Sequence, residues 1–211
     1  TPDKVLYNRI KSQLVAIPLE LYPSSMMAGI YCAVDTSRGV WKAPANVGVS
    51  FVDTLNRNIK DSDQSDLNVD ATSGKSINVI RKFDGRGLLV WGARTLDGNS
   101  NEWRYINVRR TFLFAEDSCK KASEFVVFEP NDKNTWVRVK GTISSFLTTL
   151  WRDGALAGDK PEQAFFVKVG LGETMTAQDI LEGRLIVQIG MAVVRPAEFI
   201  ILQFEHKLQE A

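Results

Sequence analysis

The chain is poor in the residues from which most catalytic and metal sites are built. Its 211 residues include two cysteines and one histidine. Cys32 and Cys119 are too few for a disulfide framework, and neither has the nearby partner of a CxxC motif. Each has apolar neighbours, so both are expected to be buried, reduced thiols. The lone histidine, His206, lies in an alternating run with Phe204 and Leu208 on its face. That pattern suits a side chain packed on a sheet better than a general base or a metal ligand. Net charge is also lacking: 26 Lys+Arg stand against 25 Asp+Glu, a balance of +1. The chain as a whole therefore exerts no pull on nucleic acid or an anionic membrane, and neither is expected as a partner. No apolar run approaches the ~18 residues of a membrane span, so no membrane insertion is expected. Thr1 and Pro2 lead straight into helix-like sequence with no charged-then-apolar leader, the look of a piece of a longer polypeptide.

Hydrophobic residues make up 44% of the chain, enough for a sizeable core. Val5, Ile10 and Leu14 fall near one face of a helix expected over 3–15, which Pro18 stops. From Ile17 to Asn46 the chain is rich in Pro, Gly and Ser and reads as an extended connector with one short helix. The most polar stretch of the chain lies between Asn56 and Gly74 and reads as a solvated loop or helix edge. Two β-rich runs, 77–80 and 88–93, flank the turn signal Asp84-Gly85-Arg86-Gly87.

A helix follows on the stripe Tyr105, Val108, Phe112, Ala115, Cys119 and Ala122, supported by Glu116–Lys120 and Asp117–Lys121 pairs. The run 125–128 reads as a strand buried on both faces. Asn131 or Asp132 then caps a long helix with apolar face Trp136, Val139, Ile143, Phe146, Leu147 and Leu150, ended by Gly154. Another strand is expected at 165–169. A capping box, Thr176 to Asp179, opens a short helix closed by Gly183, and final strands are expected at 185–194 and 199–207. The alternation defines an α/β (α+β) class: a mixed sheet covered by two long helices, with an antiparallel C-terminal strand pair.

Motifs for chemistry are sparse. Ser73-Gly74-Lys75-Ser76 resembles the tail of a phosphate-binding loop, but the glycine required five positions before Gly74 is Val69. Gly85-Arg86-Gly87 lacks the third glycine of a dinucleotide fingerprint. Of five tryptophans, Trp91, Trp136 and Trp151 fall on core-facing positions, while Trp41 and Trp103 are candidates for a contact between chains. No catalytic residue, metal ligand or cofactor is expected, and the chain reads as a non-enzyme.

Ordered blocks run along the chain: Arg38-Gly-Val-Trp-Lys-Ala-Pro-Ala-Asn46, Ile77-Asn-Val-Ile-Arg81, Gly85-Arg-Gly87, Val90-Trp-Gly-Ala-Arg-Thr-Leu96 and Glu102-Trp-Arg-Tyr-Ile-Asn-Val-Arg-Arg110. Further along come Val127-Phe-Glu-Pro-Asn131, Phe146-Leu-Thr-Thr-Leu-Trp-Arg152, Gly154-Ala-Leu156 and Pro196-Ala-Glu-Phe199. In this order they resemble the C-terminal part of contractile tail sheath proteins, from phage tails and phage-like contractile injection systems. Together they cover roughly 23–205. The polar segment 56–74 departs from the pattern, and the family's N-terminal arm and outer domains have no counterpart.

The resemblance implies a virion or injection-particle subunit that assembles in the bacterial cytoplasm. It polymerises with its own copies around an inner tube, meets baseplate and terminator proteins, and contracts to drive the tube through a target envelope. It also implies two parts: 1–22 as a helix and linker from an outer region, and 23–211 as the inner, C-terminal domain. Arms in this family add strands to neighbouring sheets. The expected inter-subunit strand is Phe199, Ile200, Ile201, Leu202, Gln203, Phe204, Glu205, His206 and Lys207, apolar on both faces at its start and alternating afterwards. About five shared backbone hydrogen bonds would contribute on the order of 5 kcal/mol, less the ordering of the arm.

Tube-facing candidates are Lys133, Arg138 and Arg152 on the long helix, with Asp179 and Glu182 on the short one as the competing contact. Two other readings are a nucleotide-binding α/β enzyme, resting on Gly74-Lys75-Ser76, and a non-contractile assembly protein sharing the fold.

Overall fold

A computed structural model describes residues 2–15, 17 and 19–203. Helix α1 spans Pro2–Val15, α2 Ser24–Arg38 and α3 Asp61–Asn68, with the two-residue strand β1 (Val47–Gly48) between the last two. Strands β2 (Val79–Phe83) and β3 (Gly87–Trp91) form a hairpin. Its turn needs backbone that only glycine adopts without strain: Gly85 and Gly87 have φ of 71° and 76°. Helices α4 (Ile106–Ala122) and α5 (Lys133–Arg152) follow, joined through a 3₁₀ turn at Glu124–Val126. A one-turn helix α6 (Pro161–Ala164), strand β4 (Phe165–Lys168), the short helix α7 (Ala177–Leu181) and strand β5 (Gln188–Met191) complete the order.

The mixture of helices and small sheets is the expected α+β class, but the single mixed sheet is replaced by two antiparallel ones. One has the order β1-β3-β2 and the other pairs β4 with β5. Every described ladder joins antiparallel neighbours, because the hairpin and the β4–β5 return bring the strands back head to tail. Phe166 lies opposite Gly190, where a Cβ would meet the Phe166 ring at 2.2 Å; glycine there lets the ring lie flat across the pair.

The α4–α5 pair supplies the main core. Val108, Ala115 and Cys119 meet Val139, Ile143, Leu147 and Leu150, and Ala155, Leu156, Ala164, Val167 and Val193 close the cluster. Each fully buried Val or Leu contributes roughly 1.5–3 kcal/mol. The Asp132 carboxylate caps α5 by accepting from the Thr135 amide at 2.9 Å, and Gly154 ends it at φ 84°. A smaller cluster joins Ile30 and Val34 of α2 to Val90 of β3.

Four local expectations are corrected. The connector 17–46 contains a full fifteen-residue helix, α2, because Val90 offers Ile30 and Val34 an apolar seat that no local pattern announces. The apolar run 125–128 is a turn and not a buried strand: among the described residues no strand lies beside it to complete a ladder, and Phe128 stands fully exposed at φ 69°. Cys119 is buried, but Cys32 is exposed, on the side of α2 away from Val90. Among the described residues no C-terminal strand pair forms: within 185–194 the strand Gln188–Met191 pairs with β4, and 199–203 carries no ladder; Phe204, Glu205, His206 and Lys207 lie outside the described residues. Pro196 has no amide to donate, and Glu198 is held by side chains on another part of the fold.

Candidate functional site

The site that distinguishes this fold is the place where its C-terminal segment leaves the body. Chain 192–194 is fixed first: the Ala192 amide donates to Ala164, and the Val194 amide to Ala155. Asn107, in the first turn of α4 and almost wholly buried, donates from its side-chain amide to the carbonyls of Trp41 (2.8 Å) and Val194 (3.2 Å). It thus ties the loop after α2 to the outgoing chain. Its Oδ1 has no hydrogen-bond partner among the described residues.

Four residues on, Glu198 is captured. The Arg94 guanidinium approaches it along one fork, Nε to Oε1 at 2.9 Å and Nη2 to Oε2 at 2.7 Å, while the Tyr105 hydroxyl donates to Oε2 at 3.0 Å. Only 6% of the Arg94 side chain and 20% of Glu198 reach solvent. Burial by itself would raise the Glu198 pKa; hydrogen bonds from Arg94 and Tyr105 outweigh it and hold the carboxyl below its ordinary range.

Arg94 is itself rigidly seated. The Asn78 side chain brackets its backbone, accepting from the Arg94 amide and donating to its carbonyl. Gly92 is required beside it, since a Cβ there would lie 2.7 Å from the Asn78 Oδ1 at a φ of 145°. The Gly98 carbonyl also accepts from Arg94.

Beyond Glu198 the character reverses. Phe199, Ile200, Ile201 and Leu202 are 69–83% exposed, four consecutive apolar side chains in water. Residues Pro196 to Ile200 line a cleft of about 480 Å³ together with residues of α3 and Trp91. Helix α1 behaves likewise: Val5, Leu6, Tyr7, Ile10, Leu14 and Val15 are all exposed.

The tube-facing candidates are spread out. Lys133, Arg138 and Arg152 are all exposed on α5, and the Arg138 guanidinium sits 5.1 Å from the Phe125 ring centre. The first and last of them are about 28 Å apart along the axis, at 1.5 Å per residue. Asp179 closes the expected capping box with Thr176 and pairs with Arg184 at 3.0 Å; the Thr176 hydroxyl is the main cause of its lowered pKa. Glu182 also pairs with Arg184 and accepts from Gln178. The Asn131 side chain donates to the Arg184 carbonyl, which brings the start of α5 beside the end of α7. Arg152, at the other end of α5, is far from that cluster.

Trp41 and Trp103, candidates for contacts between chains, are half-buried against the chain's own core, and Trp103 packs edge-on to Phe112 at 5.1 Å. The Ser73–Ser76 motif is a closed turn. The Gly74 amide donates to Asp70, and Ser76 is buried, its hydroxyl donating to Asn68. Helix α3 precedes it and an extended segment follows, the reverse of the strand-to-helix setting of a phosphate loop.

The Arg94–Tyr105–Glu198 cluster was not among the sequence-derived candidates. Arg94 and Glu198 are 104 positions apart, and neither belongs to a periodic pattern. The signal within reach was Glu198 itself, an acid between Pro196-Ala197 and an apolar run.

Comparison with known proteins agrees with this architecture. The chain overlays on a chain of the anti-feeding prophage baseplate at a TM-score of 0.84 with 51% identity, covering 90% of this chain and 52% of that one. A chain of the PVC extracellular contractile injection system, sheath complex in the contracted state, matches at 0.85 and 48%, with the same coverage. The tail sheath protein of Burkholderia phage BcepMu is 31% identical over 142 residues, 65% of this chain and 29% of its own length. That of Vibrio phage KVP40 is 27% identical over 124 residues, 59% and 18%.

These neighbours place the fold among contractile sheath proteins. The phage tail sheath C-terminal domain model matches residues 99–207, just over half of the chain, and the chain belongs to that family. It spans about half the length of the solved chains it matches and less than a third of the two phage tail sheath proteins.

Proposed function

We propose that this chain is a structural subunit of a contractile sheath, in a phage tail or an injection particle. It polymerises with its own copies around an inner tube and contracts to drive that tube through a target envelope. The single observation that carries this reading is the exposed run Phe199–Leu202, projecting from an anchored stem with no ladder partner within the described chain. Such a segment gains by adding to the open edge of a neighbour's sheet, and a head-to-tail contact that does not close builds a helical polymer.

In this reading residues 23–211 form the inner domain and 1–22 lead from an outer region. The subunit assembles in the bacterial cytoplasm and meets baseplate and terminator proteins at the ends of the sheath. Its role is mechanical, without catalysis. Truncation after Phe199 in the full-length background is expected to abolish sheaths in electron micrographs; normal yield would sink strand lending.

Grip on the tube is assigned to Lys133, Arg138 and Arg152. Asp179 and Glu182, both already paired with Arg184, are the competing contact. Exposed pairs are worth at most ~1 kcal/mol each, so many subunits must act together. Reversing charge at Arg138 and Arg152 should weaken co-assembly with the tube at low salt and not at high salt; an unchanged salt dependence would move the contact to α7.

A further inference from the structure

We infer that Glu198 is the positioning residue of the C-terminal arm: its capture by Arg94 and Tyr105 places the arm's hinge immediately after residue 198. This deepens the sheath reading and rests on it for its mechanical meaning, while the hinge itself can be measured in the chain alone.

The argument is a step in the chain's surroundings. Up to Val194 the outgoing segment is held through backbone pairing and Asn107. Over 195–198 that pairing stops, and Pro196 removes one of the amides that could continue it. If nothing else acted, the hinge would fall at Arg195. Glu198 moves it three residues further. Its carboxylate takes three hydrogen bonds from one side of a nearly buried guanidinium and a fourth from a phenol. A fork of this kind fixes direction as well as distance, which a lysine in the same place would not.

Arg94 is rooted in turn: Asn78, just before β2, brackets its backbone, and the carbonyl of Gly98, in the segment that leads from the β2–β3 hairpin into α4, accepts from its guanidinium. Ser76 packs beneath Gly98, where a Cβ would lie 1.7 Å from its hydroxyl, so the Gly74-Lys75-Ser76 remnant serves this seat. From Phe199 on, all described side chains are exposed. Tension on an arm paired to a neighbour therefore enters the body at Glu198 and passes to the start of α4, the helix that forms the core with α5. The direction of arm exit, and with it the position of the neighbour's sheet, is set by this carboxylate.

Spin labels test the step. With Cys32→Ser to clear the exposed native thiol and Glu116→Cys as the fixed reference, a second label is placed at Ala197→Cys or at Leu202→Cys. Pulsed dipolar spectroscopy is expected to give one narrow distance for position 197 and a broad distribution for 202. Glu198→Gln, in the same labelled chain, should broaden position 197, with the detached population rising about tenfold, and leave 202 broad.

Because Glu198→Gln strands a buried guanidinium, the double variant Arg94→Met/Glu198→Met provides the check without an unpaired charge. It should broaden position 197 equally while the melting temperature stays near that of the parent. A narrow distance at 197 in the folded double variant overturns the inference, as does a broad one in the parent.

In the full-length chain the double variant should give sheaths of irregular subunit spacing, and regular spacing overturns the mechanical role. If instead truncation after Phe199 leaves sheaths normal while the labels behave as expected, the strand-lending reading fails and the hinge stands.

Discussion

The apolar stripe of helix α5 and the apolar segment Phe199–Leu202 are treated in opposite ways by the fold. On α5 the residues Val139, Ile143, Leu147 and Leu150 are at most 5% exposed, while on the arm no side chain from Phe199 to Leu202 is less than 69% exposed. The difference is one of spacing and of partner. Apolar residues three and four apart form a stripe that one neighbouring helix can cover, leaving the rest of α5 for water. Four in succession, in extended chain, face both ways and need a ladder and two covering layers that this domain does not offer them. Burial on α5 stabilises the fold; exposure on the arm leaves apolar surface for assembly.

Breaking the core side of this contrast should give the largest effect. Leu147→Ala removes a side chain with no exposure and is expected to cost about 2–5 kcal/mol. Urea denaturation checks it, and a loss below about 1 kcal/mol would mean that the α4–α5 seam repacks freely.

A smaller effect belongs to the stem. The Glu198 pKa is depressed in the fold, so its contribution is present above the ordinary glutamate range and fades as pH falls through the lower, folded value. Unfolding midpoints of the parent and Glu198→Gln should therefore differ at pH 7 and converge in acid, once the pH lies below the lowered folded-state value; a constant gap would assign the loss to packing and not to charge.

The smallest effect is expected on the arm. Ile200→Asp should change chain stability by no more than about 0.5 kcal/mol, since Ile200 is 82% exposed. The same denaturation curve measures it, and a large loss would mean that the arm packs on its own body.

Much of the helical layer was legible in the sequence, for a reason seen at Asp132 and Gly154. A cap, a stripe and a terminating glycine act within a few residues, so local pattern and final structure coincide. The same is true of the Thr176–Asp179 capping box. The run 125–128 shows where this reasoning stops. Its composition suits a buried strand, but a strand exists only if another lies beside it, and the tight passage from α4 to α5 leaves none. Helix α2 errs the other way: the Pro-, Gly- and Ser-rich composition of 17–46 argued for a connector, and Val90 gave Ile30 and Val34 something to pack on.

The sequence by itself determined the helices that carry their own signals, the hairpin around Gly85 and Gly87, and the family likeness carried by its ordered blocks. Tertiary structure alone decided which strands pair, that β5 joins β4, and that Glu198 meets Arg94. Helix caps and turns are settled by interactions over three or four residues. The Arg94–Glu198 pair closes a separation of 104, and only the folded body brings such partners to hydrogen-bonding distance.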